Sequence, residues 1–100
     1  MNLSEAISIA VNSQVNAEGH FCLFAIRPWG KLAEAKIVDL GEDIVIPSEI
    51  KRSEFEYFLE VSIIKEMRST FHKKSDDTFV DMVMHYAEFD AYPEYAWDEM

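Results

Sequence analysis

Apolar residues return at helical intervals near the start of the chain. Leu3, Ile7, Ala10, Val11 and Val15 share a face, with Asn12, Ser13, Gln14 and Asn16 between them, and Gly19 stands where a helix would end. This spacing predicts a helix over residues 3–17. The pattern then changes: His20 to Ile26 (HFCLFAI) is a short continuous apolar run that suits a buried strand, and Pro28-Trp29-Gly30 forces a turn. Lys31 to Leu40 is mixed, because Ala, Glu, Lys and Leu favour helix while the preceding turn and Lys36-Ile37-Val38 suit a returning strand; the strand is preferred. Gly41-Glu42-Asp43 makes another turn, and the β-branched Ile44-Val45-Ile46, stopped by Pro47, predicts a third short strand at a sheet edge.

Further on, Ser53 and Glu56 have the spacing of a capping box, and Phe55, Leu59, Ile63 and Met67 follow at four-residue steps. Phe58, Val61 and Ile64 widen this face, and Lys73-Lys74 complement the dipole at its end, so a helix is predicted over 54–72. Ser75, Asp76 and Asp77 offer caps for another helix, over 77–90, whose Phe79, Met82, Val83 and Tyr86 share a face; the alternation of Val80, Met82 and Met84 also admits a strand. AYPEYAWDEM has no clear period and reads as an extended tail over 91–100 or a packed irregular segment. The expected architecture is α+β in one domain. It has an N-terminal helix, a short antiparallel sheet of about three strands, one long amphipathic helix, and a further helix or strand before an acidic aromatic tail.

Composition adds a polarity to this outline. With 49% apolar residues in 100 the chain has enough to form a core despite a net charge of −10. The charge is uneven: residues 1–50 sum to −4, 51–74 to +2 and 75–100 to −8. Such a field repels nucleic acid and anionic lipid and speeds encounter with cationic proteins. Within the central segment the basic residues are Lys51, Arg52, Lys65, Arg68, Lys73 and Lys74, which are expected to lie against the acidic end and offset its self-repulsion. The single cysteine, Cys22, sits in an apolar run, and no basic leader or long apolar span is visible, so a reducing, cytoplasmic setting is expected.

Chemistry-bearing patterns are sparse. His20, His72 and His85 form no i, i+4 pair, and His20 with Cys22 supplies only two potential ligands, so no metal is expected. Gly19, Gly30 and Gly41 are too far apart to cradle a phosphate, and the carboxylate pairs Glu42-Asp43 and Asp76-Asp77 fall at a turn and a helix start, where backbone bonding accounts for them. No catalytic or cofactor-binding residues are assigned, and an enzyme is not expected.

The last 26 residues stand apart, with eight acidic side chains, no Lys or Arg, and six of the thirteen aromatics. Asp81, Glu88, Asp90, Glu94, Asp98 and Glu99 interleave with Tyr86, Phe89, Tyr92, Tyr95 and Trp97. Rings supply desolvated contact area and carboxylates meet Lys or Arg, which is interface chemistry. The expected partner-binding set is Asp81, Glu88, Asp90, Tyr92, Glu94, Tyr95, Trp97, Asp98 and Glu99; the bland alternative is that the rings finish the core and the carboxylates form a solvated face. In length, acidity and the segment EFDAYPEYAWDEM, the chain resembles bacterial toxin-immunity proteins, including those of contact-dependent growth inhibition systems. The resemblance is one of general character and transfers no site residues. It implies an inhibitor that neutralises a basic, nuclease-like toxin by occluding its active site. Two other readings are a phage-type nucleic-acid mimic that blocks a restriction or CRISPR nuclease, and a small assembly subunit that oligomerises through its C-terminal aromatics.

Overall fold

A reciprocal cap opens the fold. The Asn2 side-chain oxygen accepts from the Glu5 amide at 2.8 Å, and the Glu5 carboxylate accepts from the Asn2 amide at 3.2 Å, satisfying two of the free donors at the start of helix α1 (Leu3–Asn12). The computed structural model describes residues 1–12 and 20–98. Val15, Gly19 and the predicted helical residues 13–17 therefore lie outside the described residues. Within α1 the predicted stripe is the buried one: Leu3, Ala6, Ile7 and Ala10 are shut from solvent and Val11 is half-buried.

Strand β1 (Phe21–Ile26) is the centre of a three-stranded antiparallel sheet of order β2-β1-β3, with β2 spanning Ala35–Asp39 and β3 spanning Phe55–Glu60. Cys22, Leu23, Phe24 and Ala25 are all buried, because alternate side chains point to opposite faces and each face is covered. Leu23 and Ala25 join Leu3, Ile7, Ile64 and Val83 in the main core, beneath α1, α3 (Val61–Thr70) and α4 (Asp76–Phe89). Cys22 and Phe24 face the other way, into a smaller cluster with Leu40 and Ile50, where Ile50 belongs to the short helix α2 (Ser48–Lys51).

The α+β class, with its N-terminal helix and three-stranded antiparallel sheet, is as the sequence predicts, and residues 35–39 and 76–89 take the preferred strand and helix. Two boundaries differ. Ile44-Val45-Ile46 is not the third strand: Ile44 has φ +52°, which turns the chain, and Ile46 packs against the outer cluster and not into a ladder. The predicted helix over 54–72 is divided. Residues 55–60 form β3, and the helix starts only at Val61. The Ser53-Glu56 capping box is absent too; the Ser53 hydroxyl donates to the Ile50 carbonyl at 2.7 Å and accepts from the Phe55 amide at 3.1 Å, closing the turn after α2.

The apparent helical period across β3 has a specific origin. Leu23 pairs with Leu59 but Phe24 pairs with Tyr57, so Phe58 is an extra residue in a β-bulge. The bulge breaks strand alternation and lets Phe58 and Leu59, neighbours in sequence, both enter the main core. Tyr57, by contrast, sits beside Phe24 in an edge-to-face contact with centroids 6.0 Å apart. Phe58 is 2% exposed and meets Trp29 edge-on at 4.9 Å. Phe58→Ala should therefore cost about 3–5 kcal/mol of unfolding free energy, measured by chemical denaturation. A loss under about 1 kcal/mol would show that the bulge does not direct this ring into the core.

Burial, and secondarily the Glu60 carboxylate, push the Cys22 thiol up to about 11. Because the folded value lies above the ordinary one, this group's stabilisation is complete below the ordinary thiol range and is lost as pH rises through about 11. Iodoacetamide at mildly alkaline pH should alkylate the native chain far more slowly than the urea-unfolded chain. Equal rates would mean that the 40–53 segment does not seal the outer face.

Candidate protein-binding surface

The acidic aromatic end is assembled by helix capping at both ends of α4. At its start the Ser75 hydroxyl oxygen accepts from the Thr78 amide at 3.3 Å, with Asp76 and Asp77 in the first turn favoured by the helix dipole. At its end Asp90 takes the left-handed conformation, φ 54°, and its amide donates to the Tyr86 carbonyl at 2.8 Å. This reversal sends residues 91–98 back along α4. They form a packed irregular segment with one 3-10 turn, Glu94–Trp97, and not an extended tail.

Apolar contact and cationic side chains hold the returning segment. Ala96 is buried with Phe71 and Met82, and Tyr92 packs against them. The Tyr92 ring lies 5.1 Å from Phe71, 5.0 Å from Tyr86 and 5.5 Å from Trp97, and Trp97 is itself 5.4 Å from Phe71. Lys74 Nζ donates to the Tyr95 carbonyl at 3.0 Å and also to the Asp98 carbonyl. Arg68 donates to the carbonyls of Phe71 and Lys74 at 3.3 and 2.8 Å and pairs with Asp76 at 3.0 Å. The basic end of α3 thus meets the acidic quarter as expected, but mainly through backbone carbonyls.

The predicted partner-binding residues separate into groups. Asp81 and Glu88 are exposed but engaged within the chain, Asp81 by Lys31 at 3.5 Å and Glu88 by Arg27 at 2.7 Å. Tyr92 is half-buried in the aromatic cluster, where burial first, then Tyr86 and Glu66, push its phenol up. Tyr95 is 42% exposed and Trp97 56% exposed, beside exposed Asp90, Glu94 and Asp98, whose carboxylates form no ion pair among the described residues. Glu99 lies outside the described residues. Phe89, which the sequence places in the interleaved run but not in the partner-binding set, is 66% exposed at the end of α4 and stacks at 4.8 Å on His85, whose Nδ1 contacts the Ala91 carbonyl at 2.8 Å.

No known protein family, curated protein or solved structure matches this chain. Its chemistry must be read from the surface itself. Among the described residues no group of three His, Cys, Asp or Glu side chains is placed to hold a metal ion, and no helix is long and apolar enough to cross a membrane. What this part of the chain offers is one large exposed ring, Phe89, at the end of α4 and two more, Tyr95 and Trp97, on the returning segment anchored by Lys74, with exposed carboxylates between them in sequence.

Lys74 is the residue whose loss tests the anchoring. Lys74→Gln should lower stability by only about 1 kcal/mol, since the ammonium is partly exposed, but should speed amide hydrogen exchange at Ala96 and Asp98. Exchange in the middle of α4 should be unchanged. If Ala96 and Asp98 keep their protection, the aromatic contacts alone hold the segment.

Proposed function

We propose that this chain is a protein-binding inhibitor that docks a cationic protein, in the manner of a toxin-immunity protein, through the surface built by the end of α4 and residues 91–98. The observation that carries this reading is the exposure of Tyr95 and Trp97, with Glu94 and Asp98, on a segment pinned by Lys74 and the buried Ala96, together with exposed Phe89 and Asp90 where that segment leaves α4. Rings left in water are poorly used unless another surface covers them, and pre-positioning them lowers the ordering cost of association. The field is favourable as well: residues 75–100 carry −8, and among the described residues Lys74 meets this segment at backbone carbonyls while Arg68, Lys31 and Arg27 pair with Asp76, Asp81 and Glu88.

The mechanism requires no bond chemistry from this protein. Carboxylates at Asp90, Glu94 and Asp98 take the positions that substrate phosphates occupy against a nuclease-like toxin's Lys and Arg side chains, and the rings cover the floor on which bases stack. Long-range attraction sets the association rate, while the desolvated rings set the lifetime of the complex.

Replacing Asp90, Glu94 and Asp98 together by Lys should leave the far-ultraviolet spectrum unchanged and lower stability by only about 1 kcal/mol, because all three are exposed and the cost falls at left-handed Asp90. The same variant should weaken capture of the cationic partner from the native host by about 100-fold or more, and the parent's association should slow steeply as salt rises. Undiminished capture by the triple variant would remove this surface from the mechanism. A salt-insensitive homodimer closed over Trp97 and Tyr95 would replace the inhibitor reading with self-assembly.

A further inference from the structure

We infer that the cleft between α3 and the end of α4, lined by Glu66, Tyr86 and Tyr92, is a receptor site for a single guanidinium group, an arginine side chain of the bound protein. The cleft has a volume of about 320 Å³ and is walled by Ile63, Glu66, Met67, Thr70, Tyr86 and Tyr92. The inference deepens the reading of a cationic partner by naming the place where one of its side chains anchors.

The chain's own guanidinium groups show what this chemistry does in the same molecule. Arg27 stacks on the Trp29 ring with its carbon 3.7 Å from the ring centroid, while Glu56 and Glu88 hold its nitrogens at 2.9 and 2.7 Å. Arg68 lies 4.9 Å over Phe79 and pairs with Asp76 at 3.0 Å. Each time, an aromatic face and a carboxylate act together. The electron-rich face of a ring and an anion both favour a planar cation, and a guanidinium satisfies both because it is flat and weakly hydrated.

Tyr86, Tyr92 and Glu66 repeat this set of groups, and among the described residues no salt bridge or cation–ring contact joins them to a cation. Among the described residues the Glu66 carboxylate forms no ion pair, and neither tyrosine hydroxyl makes a hydrogen bond. The two rings lie 5.0 Å apart, tilted by 34°, so they pack on each other and together form one aromatic wall of the cleft. Their positions are not free to drift: Tyr92 is held by Phe71 and Trp97, and Tyr86 is part of α4 and packs on the main core. Carboxylate and rings come from three segments, α3, α4 and the returning chain, so the cleft exists only when the C-terminal segment is docked. Trp97 extends from the same cluster into solvent, placing the cleft beside the exposed surface of the proposed interface.

The test uses the full chain and N-acetyl-arginine amide at low ionic strength, with the neutral isostere N-acetyl-citrulline amide as the control, followed by the ring resonances of Tyr86 and Tyr92. The arginine amide should shift both rings saturably in the millimolar range, with the citrulline amide producing no saturable shift. Glu66→Gln, an exposed change that spares the fold, should weaken the arginine amide by about three- to tenfold. Tyr86→Leu should abolish the response, while Tyr86→Phe, which keeps the ring, should retain most of it. Equal shifts from the two amides, or an unchanged affinity in Glu66→Gln, would overturn the site. This outcome is separable from that of the inhibitor reading: the amide titration needs no partner, and partner capture abolished by the Lys triple variant but indifferent to Glu66→Gln would sink the cleft alone.

Discussion

Strand β1 is apolar on both faces, and both faces must be covered for it to leave water. That demand organises the molecule. The helices α1, α3 and α4 gather on one side over Leu23 and Ala25, and the chain from Leu40 to Ser53, with α2, folds across Cys22 and Phe24 on the other. Residues 55–60 then have an open edge of β1 to join, and the strand they form delivers the chain directly into α3. The position of α3 in turn sets Phe71 and Lys74, which receive the C-terminal segment, and Arg68, which ties the corner that carries them. The candidate interface is thus several steps downstream of a six-residue strand.

A chain with a net charge of −10 has few cations to spend, and their placement shapes the surface. Arg27 and Lys31, from β1's end and the following turn, meet Glu88 and Asp81 on α4. Arg68 and Lys74 serve mainly as donors to backbone carbonyls, closing the corner between α3 and α4 and fixing the residues beyond Pro93. Exposed pairs of this kind add little stability. Their effect is positional: the carboxylates nearest the sheet are engaged, while Asp90, Glu94 and Asp98 stay exposed, from the end of α4 along the returning segment. On the reading proposed above, a cationic protein docking along that segment meets charge and contact area together.

The arrangement also explains why part of the acidic aromatic run belongs to the fold and part to the surface. Tyr92 and Ala96 are drawn inward by Phe71 and Met82, so they preorganise the segment. Trp97 takes a mixed role, with one edge in the ring cluster and more than half of its area exposed. Tyr86 and Tyr92 belong to the cluster and also line the cleft that carries Glu66. A carboxylate on α3 was invisible to any reading of the C-terminal run, because only the docking of that run brings it near.

Local patterns were enough to reveal α1, β1, the helix after Ser75 and the concentration of anionic and aromatic groups at the C-terminal end. Each of those depends on spacing, capping or composition within a few neighbouring residues. The four-residue recurrence from Phe55 to Met67 misled because a β-bulge and a helix start can mimic a continuous helical stripe, and nothing local records that β1 has an edge to fill. Ile44-Val45-Ile46 has the residue types of a strand, but the chain needed those positions to turn and seal the outer face. Which carboxylates are paired and which rings are exposed, and the meeting of Glu66 with two tyrosines, were settled by contacts between segments distant in the chain. Such contacts are set by how the whole molecule closes around β1, and no short stretch of residues contains that information.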